Sequence, residues 1–146
     1  MIKFQKRPAI HSDEPFMRAL HKAAYQDVVA RQFGWWDDEV QYSLFTQKWA
    51  PEKFEIIEIE GKPIGCLSVE NHPDKVFVAE VQILPEFQGR GIGAELIRAE
   101  LARARQMQKP VHLQVLQKNE RARAFYERLG FTVQGTTNRH FSMTAI

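Results

Sequence analysis

Ile83-Leu-Pro-Glu-Phe-Gln-Gly-Arg-Gly-Ile-Gly-Ala94 is the stretch on which the reading of this chain turns. Apolar strand residues run into a proline, then into Gly89, Gly91 and Gly93, and then directly into an amphipathic helical pattern. Glycine lets the backbone take positive φ and come close to a ligand. The amides that open a helix have no intrahelical acceptor, and the helix dipole draws negative charge toward them. A turn of this kind holds an anion, phosphate above all. A P-loop is disfavoured because no Lys follows the glycines, and a dinucleotide fingerprint because Leu96 stands three residues beyond Gly93. A turn that binds nothing would leave the glycine cost of about 1 kcal/mol per helical position uncompensated.

Downstream, Gly91 to Met107 reads as a helix with Ile92, Leu96, Ile97, Leu101 and Ala104 as its apolar stripe. Glu95 with Arg98 and Glu100 with Arg103 are expected as surface pairs. Val111, Leu113 and Val115 form the inward face of a strand. Asn119 then caps a helix running to Leu129, Gly130 stops it, and Thr132–Thr137 and Arg139–Ala145 close as a strand pair.

Upstream, Lys53–Glu60, Pro63–Glu70 and Lys75–Leu84 alternate as three strands of an antiparallel meander, turning at Gly61-Lys62 and Asn71–Asp74. In the third strand the apolar phase switches near Ala79-Glu80: Val76 and Val78 are even, Val81 and Ile83 odd. A β-bulge shifts phase in this way. Phe77 and Ala79 equally allow a strand buried on both faces.

The chain opens with a strand, Ile2 to Arg7. Ser12 or Asp13, with Pro15, starts a helix whose face is Phe16, Leu20, Ala23, Ala24 and Ala30, and Gly34 ends it. A second short helix turns Val40, Leu44 and Phe45 inward and closes at Pro51. The order β-α-α-β-β-β-α-β-α-β-β predicts an α/β protein with a mixed, mostly antiparallel central sheet and helices on both faces, not a doubly wound one.

At 146 residues, 44% of them hydrophobic, the chain reads as a single domain spanning 1–146. Apolar runs are strand-sized, so no membrane partner is expected, and the N-terminal residues lack a signal-like stretch. An intracellular, cytoplasmic protein is the expectation. The net charge of +2 is too small for a nucleic-acid footprint. The cationic residues between Arg90 and Arg128 suit a phosphorylated small ligand better. The lone Cys66 forms no intrachain disulfide and reads as a packed thiol, and no metal-ligand spacing occurs. His72 and His140 read as surface residues.

Gln88-Gly-Arg-Gly91-Ile-Gly93-Ala94 resembles the Q/R-x-x-G-x-G/A pyrophosphate loop of the GNAT superfamily of N-acetyltransferases. Ile83-Leu-Pro85-Glu86 before it, and Asn119, Ala122 and Phe125-Tyr-Glu-Arg-Leu-Gly-Phe131 after it, are similar to that family's motifs in order and spacing. The element order resembles the GNAT fold across essentially the whole chain. The resemblance implies acetyl-coenzyme A as co-substrate and no metal. It implies that Gln88, Gly89, Arg90, Gly91, Ile92, Gly93 and Ala94 hold the diphosphate, while Val81, Gln82 and Ile83 bind the pantetheine and acetyl carbonyl through their main chain. It also places the Tyr126 hydroxyl near the coenzyme sulfur as proton donor.

Several residues have two roles open. Tyr126 fits the acid of the reaction, and also a core position beside Ala122, Phe125 and Leu129. Asn119 fits a helix cap and a contact to the pantetheine arm. Glu80, next to the proposed strand defect, is the candidate base, and fits a solvated strand glutamate equally. Tyr25, Trp36 and Glu39, with Trp35, Asp37 and Asp38, combine aromatic faces and negative charge as an acceptor-binding set. The alternative for these is a core Trp36 and a charged first turn of the second helix. The acceptor is expected to be a small-molecule or peptide amine. The competing class is a non-catalytic module that senses acyl-coenzyme A, which would have no need of a thiolate acid. The last strand pair offers an edge for a homodimer.

Overall fold

The computed structural model describes residues 3–146, so the start of the strand expected from Ile2 lies outside the described residues. The elements are β1 Gln5–Pro8, α1 Glu14–Phe33, α2 Asp38–Lys48, β2 Glu55–Ile59, β3 Lys62–Asn71, β4 Val76–Ile83, α3 Ile92–Gln106, β5 Val111–Leu116, α4 Glu120–Arg128, β6 Thr132–Thr136 and β7 His140–Ala145. Their order is the one the sequence predicts. They build one sheet, β1-β2-β3-β4-β5-β7-β6, in which, among the described residues, only β4 and β5 run parallel. The β2–β3 turn falls one residue earlier than expected, at Glu60 and Gly61, which both have positive φ, so Lys62 is already strand.

Two features of β4 shape everything that follows. First, β4 and β5 share only the pairs Val76↔Val111 and Phe77↔His112, and beyond them the strands diverge. Second, Ser68 pairs with Glu80 but Val69 with Val78, which leaves Ala79 as the extra residue of a bulge. The bulge is where the phase switch in the sequence places it. Val76 and Val78 before it, and Val81 and Ile83 after it, therefore pack into the same core.

That core lies under α3 and α4, where Ile92, Leu96, Ile97 and Ala104 meet Val111, Leu113, Val115, Tyr126, Phe131 and Met143. A smaller one on the opposite face joins Met17 and Leu20 of α1 to Ile56 and the buried Cys66, rimmed by Phe45, Trp49 and Phe54. Arg7 of β1 pins the start of α1 through a two-pronged ion pair to Asp13, at 2.8 and 2.9 Å.

The helices depart from the expected faces. On α1 the buried residues are Met17, Leu20, Val28 and Val29, and Ala23 is exposed, so the helix is rotated relative to the stripe read from its alanines. No residue of α2 is buried. Val40 and Leu44 are each 45% exposed, and the helix packs mainly through Phe45, whose ring stacks on Trp49 just beyond its end. On α3, Glu100 pairs with Arg103 at 2.7 Å, but the glutamate is buried rather than on the surface. Glu95 and Arg98 form no ion pair among the described residues. The edge strand β6 bulges at Gln134, so a second copy docking there meets a kinked ladder. Among the described residues no helix is long and apolar enough to cross a membrane.

Candidate active site

The glycine-rich segment leaves β4 through a single turn at Pro85–Phe87. Gln88 then folds back, its Nε2 donating to the carbonyl of Ile83 at 2.9 Å, which ties the loop to the strand end. Gly89 and Gly91 have φ of +75° and +84°, and open space surrounds the position a Cβ would take at each. Gly91 is the N-cap of α3, and the first helical bond runs from the Glu95 amide to the Gly91 carbonyl. The amides of residues 89–94 donate to no acceptor among the described residues. Six main-chain donors at a helix start are thus without an acceptor among the described residues, with the dipole behind them.

Gly93 departs from the expectation: its φ is not positive, and a Cβ there would sit 3.5 Å from the ring of Phe125. A methyl there would make an ordinary van der Waals contact with that ring, so the approach of α3 to α4 does not require the glycine. The side chain of Ile92 is core, so only its amide belongs to the loop, and the Arg90 guanidinium stacks 5.2 Å from the Phe87 ring.

Where β4 leaves β5 its main chain is open on that side. The Leu84 amide donates to the Ile64 carbonyl, and in an antiparallel ladder bonded residues alternate, so Gln82 and Glu80 are the residues bonded to β3. Val81 and Ile83 present their main-chain groups to the opening, and the Ile83 carbonyl is taken by Gln88. Gln82 therefore differs from the expectation: its main chain serves the β3 ladder, and its contribution here is its side chain.

On the α1 face of the sheet, that side chain belongs to a polar cluster. The Tyr25 hydroxyl donates to Glu80 Oε2 at 3.3 Å, and Gln82 Nε2 donates to the same oxygen at 3.2 Å. Gln82 Nε2 also lies 3.2 Å from Nδ1 of His21, and its Oε1 is 3.9 Å from the Cys66 thiol. Burial raises the pKa of the Glu80 carboxyl, opposed by the charge of Lys48 and the two donors. Burial and Lys48 lower that of His21. Burial, and next the charge of Glu80, raise the pKa of Tyr25 well above the usual phenol value.

Tyr126 approaches from the α4 face, edge-on to Phe125 and Phe131 at 5.1 and 5.5 Å between centroids. Its hydroxyl makes no hydrogen bond among the described residues. Burial first, and then the nearby Glu80 charge, push its pKa well above the usual value. Asn119 does cap α4, its Oδ1 accepting from the Ala122 amide at 3.1 Å.

Of the aromatic and acidic segment, Trp36 is half-buried, its ring 6.1 Å from that of His21 and its Nε1 donating to Asp38. Asp37 caps α2 through the Val40 amide. Glu39 stands exposed on the first turn of α2, without a hydrogen bond or ion pair among the described residues. His140 is half-buried rather than on the surface, and burial lowers its pKa. The sequence reading missed His21 and the side chain of Gln82. The spacing Met17, Leu20, His21, Ala24, Val28 was the available signal, since it sets His21 on the buried face of α1. Among the described residues no group of three or more His, Cys, Asp or Glu is placed to hold a metal ion.

The fold is matched elsewhere. The PaiA N-acetyltransferase of Thermoplasma acidophilum, crystallised with coenzyme A, superposes with a TM-score of 0.80 at 19% identity, over 99% of each chain. Naa50 of Arabidopsis thaliana, in complex with the bisubstrate analogue CoA-Ac-MVNAL, gives 0.67 at 14% identity, again over 99% of both. These establish the fold. In sequence, the chain is 33% identical over 119 residues to a 5-NmdU N-acetyltransferase of Pseudomonas phage PaMx11, covering 79% of this chain and 82% of that one. The model of the acetyltransferase (GNAT) family matches residues 16–131, from the first turn of α1 through α4 to Phe131. With the glycine-rich turn, the parting of β4 from β5 and these matches all in one chain, the protein belongs to the GNAT family and is an acetyl-coenzyme A-dependent N-acetyltransferase.

Proposed function

We propose that the chain, acting as one domain, transfers acetyl directly to an acceptor amine in a ternary complex, with Glu80 taking the amine's proton and Tyr126 donating one to the departing group. One observation carries this reading. Beside the opening of the sheet beyond Phe77 and His112, Tyr25 and Gln82 hold the Glu80 carboxyl on the α1 side, and Tyr126 comes from α4 on the other side. Six free amides stand at the end of the same strand.

The residues present fit acetyl-coenzyme A, which when bound supplies an acetyl group activated as a thioester. The amides of Gly89, Arg90, Gly91, Ile92, Gly93 and Ala94 suit its diphosphate, with the α3 dipole adding to the attraction. Gln88 holds the loop in place, and the open main chain of Val81 and the amide nitrogen of Asn119 suit the pantetheine arm. An amine attacks only when neutral, so a proton must leave it, and a carboxyl raised by burial is a better acceptor than an exposed one. Tyr126 stays protonated throughout the neutral range and acts as a hydrogen-bond donor where negative charge develops. Tyr25 and Trp36 supply aromatic faces on the acceptor side, and Glu39 a negative rim. A cytoplasmic setting goes with a coenzyme A co-substrate. A sensing role without turnover is not favoured, because the similar proteins are named as acetyltransferases.

Thiol release from acetyl-coenzyme A, followed over a panel of small amines and peptide N-termini, tests the assignment. Glu80→Gln is expected to lower turnover on the best acceptor by about 10²–10⁴, the usual contribution of a positioned base. Tyr126→Phe is expected to lower kcat while calorimetric affinity for acetyl-coenzyme A is kept. Wild-type turnover by Glu80→Gln at every pH would remove Glu80 as the base.

A further inference from the structure

Gln82 is 4% exposed, and among the described residues its amide is the one group within hydrogen-bond distance of both Glu80 and His21. An ionised carboxylate only accepts hydrogen bonds, so the face of the amide turned toward Glu80 must be the nitrogen. That choice leaves the carbonyl oxygen toward the Cys66 thiol and aims the second N–H at His21 Nδ1. Nδ1 must then carry a lone pair, which fixes His21 as the neutral ring with its proton on Nε2. Glu80 is held just as unevenly. Both of its protein donors, Tyr25 and Gln82, reach Oε2, and Oε1 has no partner among the described residues.

We infer that Gln82 is a positioning residue: its amide clamps one oxygen of Glu80, leaves Oε1 as the atom that accepts the amine's proton, and sets His21 as an Nε2–H donor beside the acceptor. The inference rests on Glu80 being the base, and it adds the device that orients it. The charged and titratable groups around Glu80 are Tyr25 and His21 from α1, Lys48 at the end of α2, Cys66 on β3 and Tyr126 on α4. Tyr25 touches His21 only ring to ring, at 5.3 Å between centroids, so among the described residues the hydrogen-bonded link between Glu80 and His21 runs through Gln82.

The test needs no acceptor. In protein labelled at glutamate carboxyl carbons and imidazole nitrogens, and saturated with coenzyme A, NMR should show His21 unprotonated at Nδ1 and protonated at Nε2. Gln82→Met keeps the side-chain length and removes both donors. In that variant the Glu80 carboxyl should titrate at higher pH than in wild type, because a donor to its charged form is gone, and the His21 tautomer signature should be lost. With an acceptor from the panel, kcat/KM on the acid side should fall about tenfold, while coenzyme A affinity stays unchanged. Gln82→Glu, of the same size, should move the carboxyl titration in the same direction through like charge. An Nδ1–H tautomer in the wild type, or a Glu80 titration unmoved in both variants, overturns the inference. Full activity of Glu80→Gln would instead strike the base assignment, and the NMR result separates the two.

Discussion

Tyr25 donates its hydroxyl hydrogen to Oε2 of Glu80 at 3.3 Å, tying the middle of α1 to the residue that follows the bulge in β4. The bond favours the ionised carboxylate, working against the burial that raises its pKa. Tyr25→Phe removes that support, so the carboxyl should hold its proton to higher pH. A base must be ionised to act, so the loss falls on the acid side: kcat/KM should drop about tenfold there, the scale of one hydrogen bond to a charged group, and recover as pH rises. A pH–rate profile of the variant beside the wild type checks this, and a pH-independent loss would assign Tyr25 to packing or acceptor contact alone.

Glu80 also makes stability depend on pH. Its folded pKa is raised above the unfolded value, so the folded state holds the proton more tightly, and the stability this gives is fully present below the unfolded pKa. It is lost as pH rises through the folded pKa, above which the folded state carries an enclosed charge. Glu80→Gln removes that charge. Its Tm relative to wild type should be more favourable at pH 8 than at pH 5, while its turnover is poorer at both, a trade of stability against activity. An equal Tm difference at the two pH values would show that the charge carries no such cost.

Gly91 separates strain from ligand binding. Its φ of +84° is costly for any side chain, yet nothing lies within 4 Å of a Cβ there. Gly91→Ala should therefore cost about 1–2 kcal/mol of stability through the backbone alone. Gly91→Asp adds a carboxylate beside the free amides and should abolish acetyl-coenzyme A binding by calorimetry. Retained affinity in Gly91→Asp would place the diphosphate elsewhere.

Gly65 on β3 is packed against β4 with no room to spare: a Cβ would collide with the Gln82 carbonyl oxygen and lie 2.8 Å from Cδ1 of Ile83. Gly65→Ala should cost about 1–3 kcal/mol by overpacking. Since β4 must shift to relieve it, affinity for acetyl-coenzyme A should fall as well. Thermal melting and calorimetry on the one variant check both effects, and lost stability with intact affinity would show that the shift stops short of Val81.

Much of this was legible in the sequence because it rests on local rules. Gly34 and Gly130 stop chain segments by taking positive φ, Asn119 caps α4, and the odd–even switch of valines around Ala79 marks the bulge. The rest depends on tertiary partners. The buried face of α1 carries His21 and Tyr25, so its polar members hid the true stripe and the alanines suggested a rotated one. For Gln82 the sequence points only to a main-chain role, since nothing in its neighbours announces that α1 will cover its side chain. Val40 and Leu44 have helical spacing, but α2 reaches the protein mainly through Phe45, so spacing alone could not tell an inner face from an outer one.

Among the described residues, Val76 with Val111 and Phe77 with His112 are the only strand pairs joining the two halves of the sheet. The molecule is in effect a book with a short spine, β1 to β4 forming one cover and β5 to β7 the other. Whatever lodges between the pages leans on both covers, so opening the book means letting go of its contents first. A co-substrate bound there would act as binding thread, and fraying of either cover should slow together when it is present.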